Sequence, residues 1–161
     1  MTKSPRVFIP LFVFAAAAVN HYFTTTNLES WYMSLQKPSL TPPDWIFAPI
    51  WVLLYASGAY SAVIAWENYD RMKMRHCWIK GLFRFNLLLT IFWSYLFFVQ
   101  HEIWTAFLEI SLLNATTLAL IILLWKVSKK ASLLLVPYLV WVSFATYLNY
   151  QIWVLNSGLV G

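Results

Sequence analysis

Charge, glycine and cysteine are all scarce in this chain. Charged side chains make up 11% of its 161 residues, glycine occurs four times and cysteine once. A single cysteine, Cys77, excludes an internal disulfide. Four scattered glycines leave no loop able to cradle a phosphate. No paired carboxylates, no nucleophile beside a base and no metal-ligand spacing can be found. Acid–base enzymology is therefore disfavoured and no metal site is expected. There is no internal repeat, low-complexity run or linker, which points to one domain over residues 1–161.

What the chain has instead is apolar surface: 61% of residues are hydrophobic and 19% aromatic. That is too apolar for a water-soluble domain of this length. Five stretches approach the ~20 residues needed to cross a ~30 Å hydrocarbon layer. They are residues 7–23, 43–66, 79–99, 103–125 and 131–155. The expected fold class is all-α, an integral membrane bundle of five transmembrane helices. The first stretch has a basic start but no small-residue cleavage site, so it reads as a span and not as a signal peptide.

The charges are sorted along the chain. Lys3, Arg6, Arg71, Lys73, Arg75, Lys80, Lys126, Lys129 and Lys130 fall on the amino-terminal side of a five-span topology. Lys37 is the only Lys or Arg in the opposite loops. The positive-inside rule then puts the amino terminus in the cytoplasm and the 24–42 loop outside. This favours a bacterial cell membrane over an outer or mitochondrial outer membrane, where the rule loses force. Few basic residues, all flanking apolar spans, argue against nucleic acid as a partner.

The 24–42 loop is the longest non-apolar connection, and loops beyond about 12–15 residues are uncommon unless functional. Asn27, Pro38 and Pro42 break regular structure in it. Trp31, Tyr32, Met33 and Leu35 give it an apolar side, suited to a lid over the bundle or to an interfacial anchor. Thr41 and Pro42-Pro43 open the second span, and Asp44 sits where the helix dipole favours an acid. Pro49 and Pro137 predict kinks in the second and fifth spans, a route to a cavity between them.

Phe47, Trp51 and Tyr55 recur every four residues and share one helix face. Asn86, Thr90, Trp93 and Phe97 share a face of the third span, and Trp141, Ala145, Asn149 and Ile152 one of the fifth. Together they would wall a slot with few polar atoms, suited to a flat apolar ligand. Taken singly, each stripe is equally a packing face.

The residues Trp31-Tyr32, Leu35, Lys37-Pro38, Pro42-Pro43, Trp45, Pro49, Trp51, Leu54-Tyr55, Gly58 and Trp66 form a pattern. It resembles the signature of the TspO/MBR family, the tryptophan-rich sensory proteins and mitochondrial translocator proteins. The resemblance extends through Trp93 to Phe98, the residues around Glu109, and Pro137 to Asn156. It implies a pocket for porphyrins and synthetic benzodiazepine-type ligands. Trp51 and Trp141 would face it, Ala145 would line it, and Trp31 and Tyr32 would close over it. Protoporphyrin IX or heme would be the ligand, with no required cofactor, and the protein would be a homodimer. Lys37 could then meet a propionate. Thr90 stands where the family usually has asparagine, with Asn86 one turn earlier. No Lys or Arg follows Lys130, so the sterol pattern claimed for animal members is absent. The first span has no glycine, and Ala15 to Ala18 offer a small face in its place.

Ionisable residues inside the spans deserve functional suspicion. Arg84 is expected to snorkel towards the basic side. Glu109 would cap a helix, pair with His101 or stay protonated. His21 and His101 fall near the outer face, as heme ligands or as interfacial residues. The leading reading is a tetrapyrrole-binding protein with a sensory, regulatory or trafficking role. Its alternatives are a light- and oxygen-dependent porphyrin-degrading enzyme with Trp51 and Trp141 as reactants, a transporter, and a ligand-free scaffold.

Overall fold

The structure, a computed structural model, describes residues 5–26, 28–68 and 76–157. Lys3, Arg71, Lys73 and Arg75 of the charge argument, and Asn27 of the loop, lie outside the described residues. Among these residues the chain is helical and has no strand. The elements are α1 (Pro5–Thr26), α2 (Asp44–Glu67), α3 (His76–Ser94), α4 (Ile103–Trp125), α5 (Lys129–Leu134) and α6 (Val136–Asn156). Among the described residues five spans are long and apolar enough to cross a membrane: Pro5–Thr26, Asp44–Glu67, Cys77–Val99, Ile103–Trp125 and Lys129–Asn156. The protein is thus a multi-pass membrane bundle.

Three apolar layers hold it. Ala65, Ile79, Leu120, Leu124 and Ala131 pack at the basic end. Leu54, Leu89, Ile110, Leu113 and Val142 fill the middle. Tyr32, Phe97, Phe98, Ala106 and Ile152 close the other end. α4 is the centre of the packing, against α3 and α6, whereas α1 buries only Ala16 and Asn20. Of the expected small face, Ala16 is buried while Ala15 and Ala18 stay exposed.

The basic end is a belt of lysines lying on aromatic rings. Lys80 Nζ stands 3.3 Å from the Trp66 ring centroid, Lys129 5.6 Å from Trp125 and Lys130 5.1 Å from Tyr60. Such cations keep their stems in the apolar layer and their charge at the interface. Arg6 also reaches Glu67 at 2.6 Å, tying the start of α1 to the end of α2.

Two local features depart from smooth helices. Pro137 falls at an interruption of the last span. It stands in the first turn of α6, and the helix breaks at Leu135. There the Leu135 N–H turns to the Ser132 carbonyl (3.1 Å), so the Ala131 carbonyl loses its helical donor, and the Leu134 carbonyl abuts the break. α2 supplies both donors: Ser57 Oγ to Leu134 O (2.6 Å) and Ser61 Oγ to Ala131 O (2.7 Å). The second departure is a π-helical turn, Tyr95–Val99, at the end of α3. Gln100 N–H reaches Tyr95 O there (3.0 Å), and His101 takes φ 61° to turn the chain into α4. Pro49 lies inside α2, which runs on without interruption.

Polar bonds between membrane helices are worth about 0.6 kcal/mol on average and up to about 1.7. Ser57→Ala combined with Ser61→Ala should therefore destabilise the bundle by about 1–3 kcal/mol. Thermal unfolding in detergent tests this, and an unchanged midpoint would show that the carbonyls at the break need no partner.

Candidate functional site

A cavity of about 340 Å³ lies under the 28–42 segment, walled by α1, α2, the end of α3 and α6. α2 contributes Phe47, Trp51 and Tyr55, one residue per turn. Trp51 stacks on Tyr55 with ring centroids 5.6 Å apart, and meets Tyr138 edge-on at 6.3 Å. From α3 come Thr90 and Trp93, and the π turn adds Phe97 and Phe98 as consecutive wall residues. α6 contributes Ala145, Leu148, Asn149 and Ile152. Exposed His21, Thr25, Ala48 and Val52 border the cavity between α1 and α2.

The segment over the cavity is fastened at several points. A π-helical turn, Leu28–Tyr32, follows α1. Trp31 lies flat on the His101 imidazole, with centroids 4.1 Å apart and planes at 16°. It also meets Phe97 edge-on at 5.4 Å. Tyr32 is buried against Phe97 and Phe98, and Lys37 Nζ sits 4.1 Å from its ring centroid. Burial, with a smaller contribution from the Asp44 carboxylate, pushes the Tyr32 phenol up to about 12. It therefore stays neutral at physiological pH. Farther along, Gln36 N–H donates to Asn156 Oδ1 (3.0 Å), and Asn156 Nδ2 donates back to Gln36 O (2.9 Å).

Of the residues singled out in the sequence, Tyr32, Phe47, Trp51, Tyr55, Trp93, Ala145 and Asn149 line the cavity. Trp31 stands behind Tyr32 on His101. Trp141 stands one ring back, edge-on to Phe47 at 5.7 Å, with its Nε1 buried and without a hydrogen-bond partner. Asn149 is already engaged: Trp93 Nε1 donates to its Oδ1 (3.0 Å), and its Nδ2 donates to Ile103 O (2.9 Å). Asn86 faces α4, donating to Thr117 Oγ1 (2.8 Å) and Thr116 Oγ1 (3.1 Å). Thr90 instead meets the Tyr138 hydroxyl at 3.0 Å.

His21 borders the cavity, whereas His101 belongs to the stack under Trp31. No group of three or more His, Cys, Asp or Glu comes together among the described residues. Glu109 is buried with both carboxyl oxygens lacking a partner, so it neither caps a helix nor pairs with His101.

Sequence reasoning missed Asn20. It is buried on the cavity wall, its Nδ2 donating to Tyr55 Oη (2.5 Å) and its Oδ1 unpartnered. The available signal was an amide in the middle of an apolar span, which needs a partner inside the bundle.

Asn149 joins α3, α4 and α6 at one point. Asn149→Ala should cost about 1–3 kcal/mol, since it strands the Trp93 indole N–H in the interior. Chemical denaturation of the variant measures this. Full stability would make the amide dispensable to the wall.

The sequence model of the TspO/MBR family matches residues 8–154. The tryptophan-rich protein TspO of Archaeoglobus fulgidus is 37% identical over 147 residues, covering 91% of this chain and 94% of its own. TspO of Chlorobaculum tepidum is 38% identical over 135 residues, 83% and 84% of the two chains. The human translocator protein is 34% identical over 128 residues, 80% and 76%. With five spans, a family match over residues 8–154 and relatives covered over 76–94% of their own length, the chain belongs to the TspO/MBR family.

Proposed function

We propose that the cavity under the 28–42 segment binds a flat, largely apolar tetrapyrrole such as protoporphyrin IX or heme, in a sensory, regulatory or trafficking role. The observation that carries this reading is the convergence of Phe47, Trp51, Tyr55, Trp93 and Phe97 on one covered space. Aromatic faces suit a planar π system, and about 340 Å³ falls within the roughly 300–1,000 Å³ range of small-molecule sites. Lys37, over the Tyr32 ring in the covering segment, would pair with a propionate. Trp141 would act through Phe47, as a backing ring. A ligand would enter either past the covering segment or through the gap between α1 and α2 that exposed His21, Thr25, Ala48 and Val52 border. Synthetic benzodiazepine-type ligands would share the same walls. The reading includes a homodimer in a bacterial cell membrane, and it needs no cofactor.

Titration of the purified protein with protoporphyrin IX in the dark, followed by illumination, tests the reading. Saturable quenching of tryptophan fluorescence is expected. Trp51→Leu, which removes the ring and keeps apolar bulk, should weaken binding by about 2- to 13-fold, the 0.5–1.5 kcal/mol of one ring contact, and Trp51→Leu with Trp141→Leu by more. Absence of saturable binding would remove tetrapyrroles as ligands. Bleaching of the porphyrin in light that depends on Trp51 or Trp141 would favour the degrading enzyme over the binding protein.

Asn156→Ala removes both hydrogen bonds to Gln36, each worth about 0.5–1.5 kcal/mol. Stopped-flow mixing should then show faster porphyrin association. An unchanged rate would mean that the covering segment does not gate entry.

A further inference from the structure

A second and larger cavity, about 480 Å³, lies between α1, α2 and α3 in the half of the bundle nearer the basic end. Its walls are apolar, with Leu54, Ile79 and Phe83 among them. Exposed Phe8, Phe12 and Leu88 border it on the outer surface, so it opens towards hydrocarbon. Tyr55 and Thr90 form its inner limit. A Cβ added at Gly58 on its α2 wall would meet nothing within 4 Å.

Two cations, Lys80 and Arg84, stand one helical turn apart on the α3 wall. Lys80 rests on Trp66 at the interface. Arg84 is exposed, and among the described residues no carboxylate pairs with it. Arg84 lies seven residues past Cys77, about 10 Å into the span at 1.5 Å per residue. A guanidinium at that depth calls for a counter-ion or a route to the headgroups. Helical side chains lean towards the amino end of their helix, here the basic end where Lys80 lies. Both charges therefore meet at one mouth of an otherwise apolar space.

We propose that this cavity is a binding site for an anionic phospholipid of the leaflet on the amino-terminal side. Its phosphate lies between Lys80 and Arg84, and one acyl chain runs between α1 and α3 towards Tyr55 and Thr90. Charge complementarity selects the headgroup, since a zwitterionic lipid would bring an ammonium group to two cations. The apolar walls select a chain-bearing anion over a soluble one. This site is separate from the covered cavity and stands whether or not that cavity takes a tetrapyrrole.

Native mass spectrometry of the full chain in detergent tests the site. The probes are phosphatidylglycerol and phosphatidylcholine with identical chains, with glycerol phosphate as a chainless competitor. The parent should retain phosphatidylglycerol over phosphatidylcholine and ignore glycerol phosphate. Arg84→Gln should lower phosphatidylglycerol retention about five-fold, the worth of one basic residue beside an anionic headgroup, and leave phosphatidylcholine unchanged. Gly58→Leu fills the cavity with both charges intact, and should lower retention of either lipid. An unaltered circular dichroism spectrum and thermal midpoint verify the fold of each variant. Equal retention of the two lipids by the parent, or no effect of Arg84→Gln, overturns the proposal. So does displacement by glycerol phosphate, which would mean a plain anion site. Retention indifferent to Gly58→Leu overturns it too, because the lipid would then lie on the outer surface.

Discussion

Hydrocarbon offers no hydrogen bond, so every polar group buried in this bundle has to find its partner within the chain. That constraint decides where the helices sit. Ser57 and Ser61 tie α2 to the break between α5 and α6. Ser132 ties the same region to Ile121 of α4. Asn86 joins α3 to α4, and Asn149 draws α3, α4 and α6 to one point. α1 has one such buried tie, Asn20 to Tyr55, and otherwise faces outward. The bundle is thus a four-helix frame with a fifth helix leaning on it.

The same frame explains why space is left inside. A helix that breaks at Leu135 and one that widens at Tyr95–Val99 cannot follow their neighbours at a constant distance. The aromatic side chains on α2 and α3 are too large and too stiff to close the gap. They meet in edge and stacked pairs and leave a lined void. The covering segment roofs the void through two contacts: Trp31 on His101, and Gln36 on Asn156. Among the described residues four groups lie outside this polar economy, buried without a partner: the Asn20 Oδ1, the Thr41 hydroxyl, the Glu109 carboxyl and the Trp141 indole N–H.

The five spans were legible because hydropathy over some twenty residues is a coarse, additive signal. The faces of α2 and α6 were legible because fixed spacing on a helix places side chains directly. Trp141 shows the limit of that rule: a ladder of fours drifts around a 3.6-residue helix. Ala145, Asn149 and Ile152 reach the cavity while Trp141 meets Phe47. Pro137 announced a missing donor. Whether the helix bends or breaks depended on hydroxyls 70 and 77 residues away in sequence. The π turn left no mark in the sequence. Nor did the left-handed conformation of His101, a residue type that tolerates it better than most.

Tyr55 and Thr90 border both cavities. The partition between the two spaces is therefore a single layer of side chains, with the Tyr55 hydroxyl moored to α1 through Asn20. Such a wall makes the two voids communicating vessels. A tilt of the Tyr55 ring that enlarges one of them shrinks the other, with the helices standing still. The leaning helix holds the mooring line, so its position sets how the empty volume is shared between the two halves of the bundle.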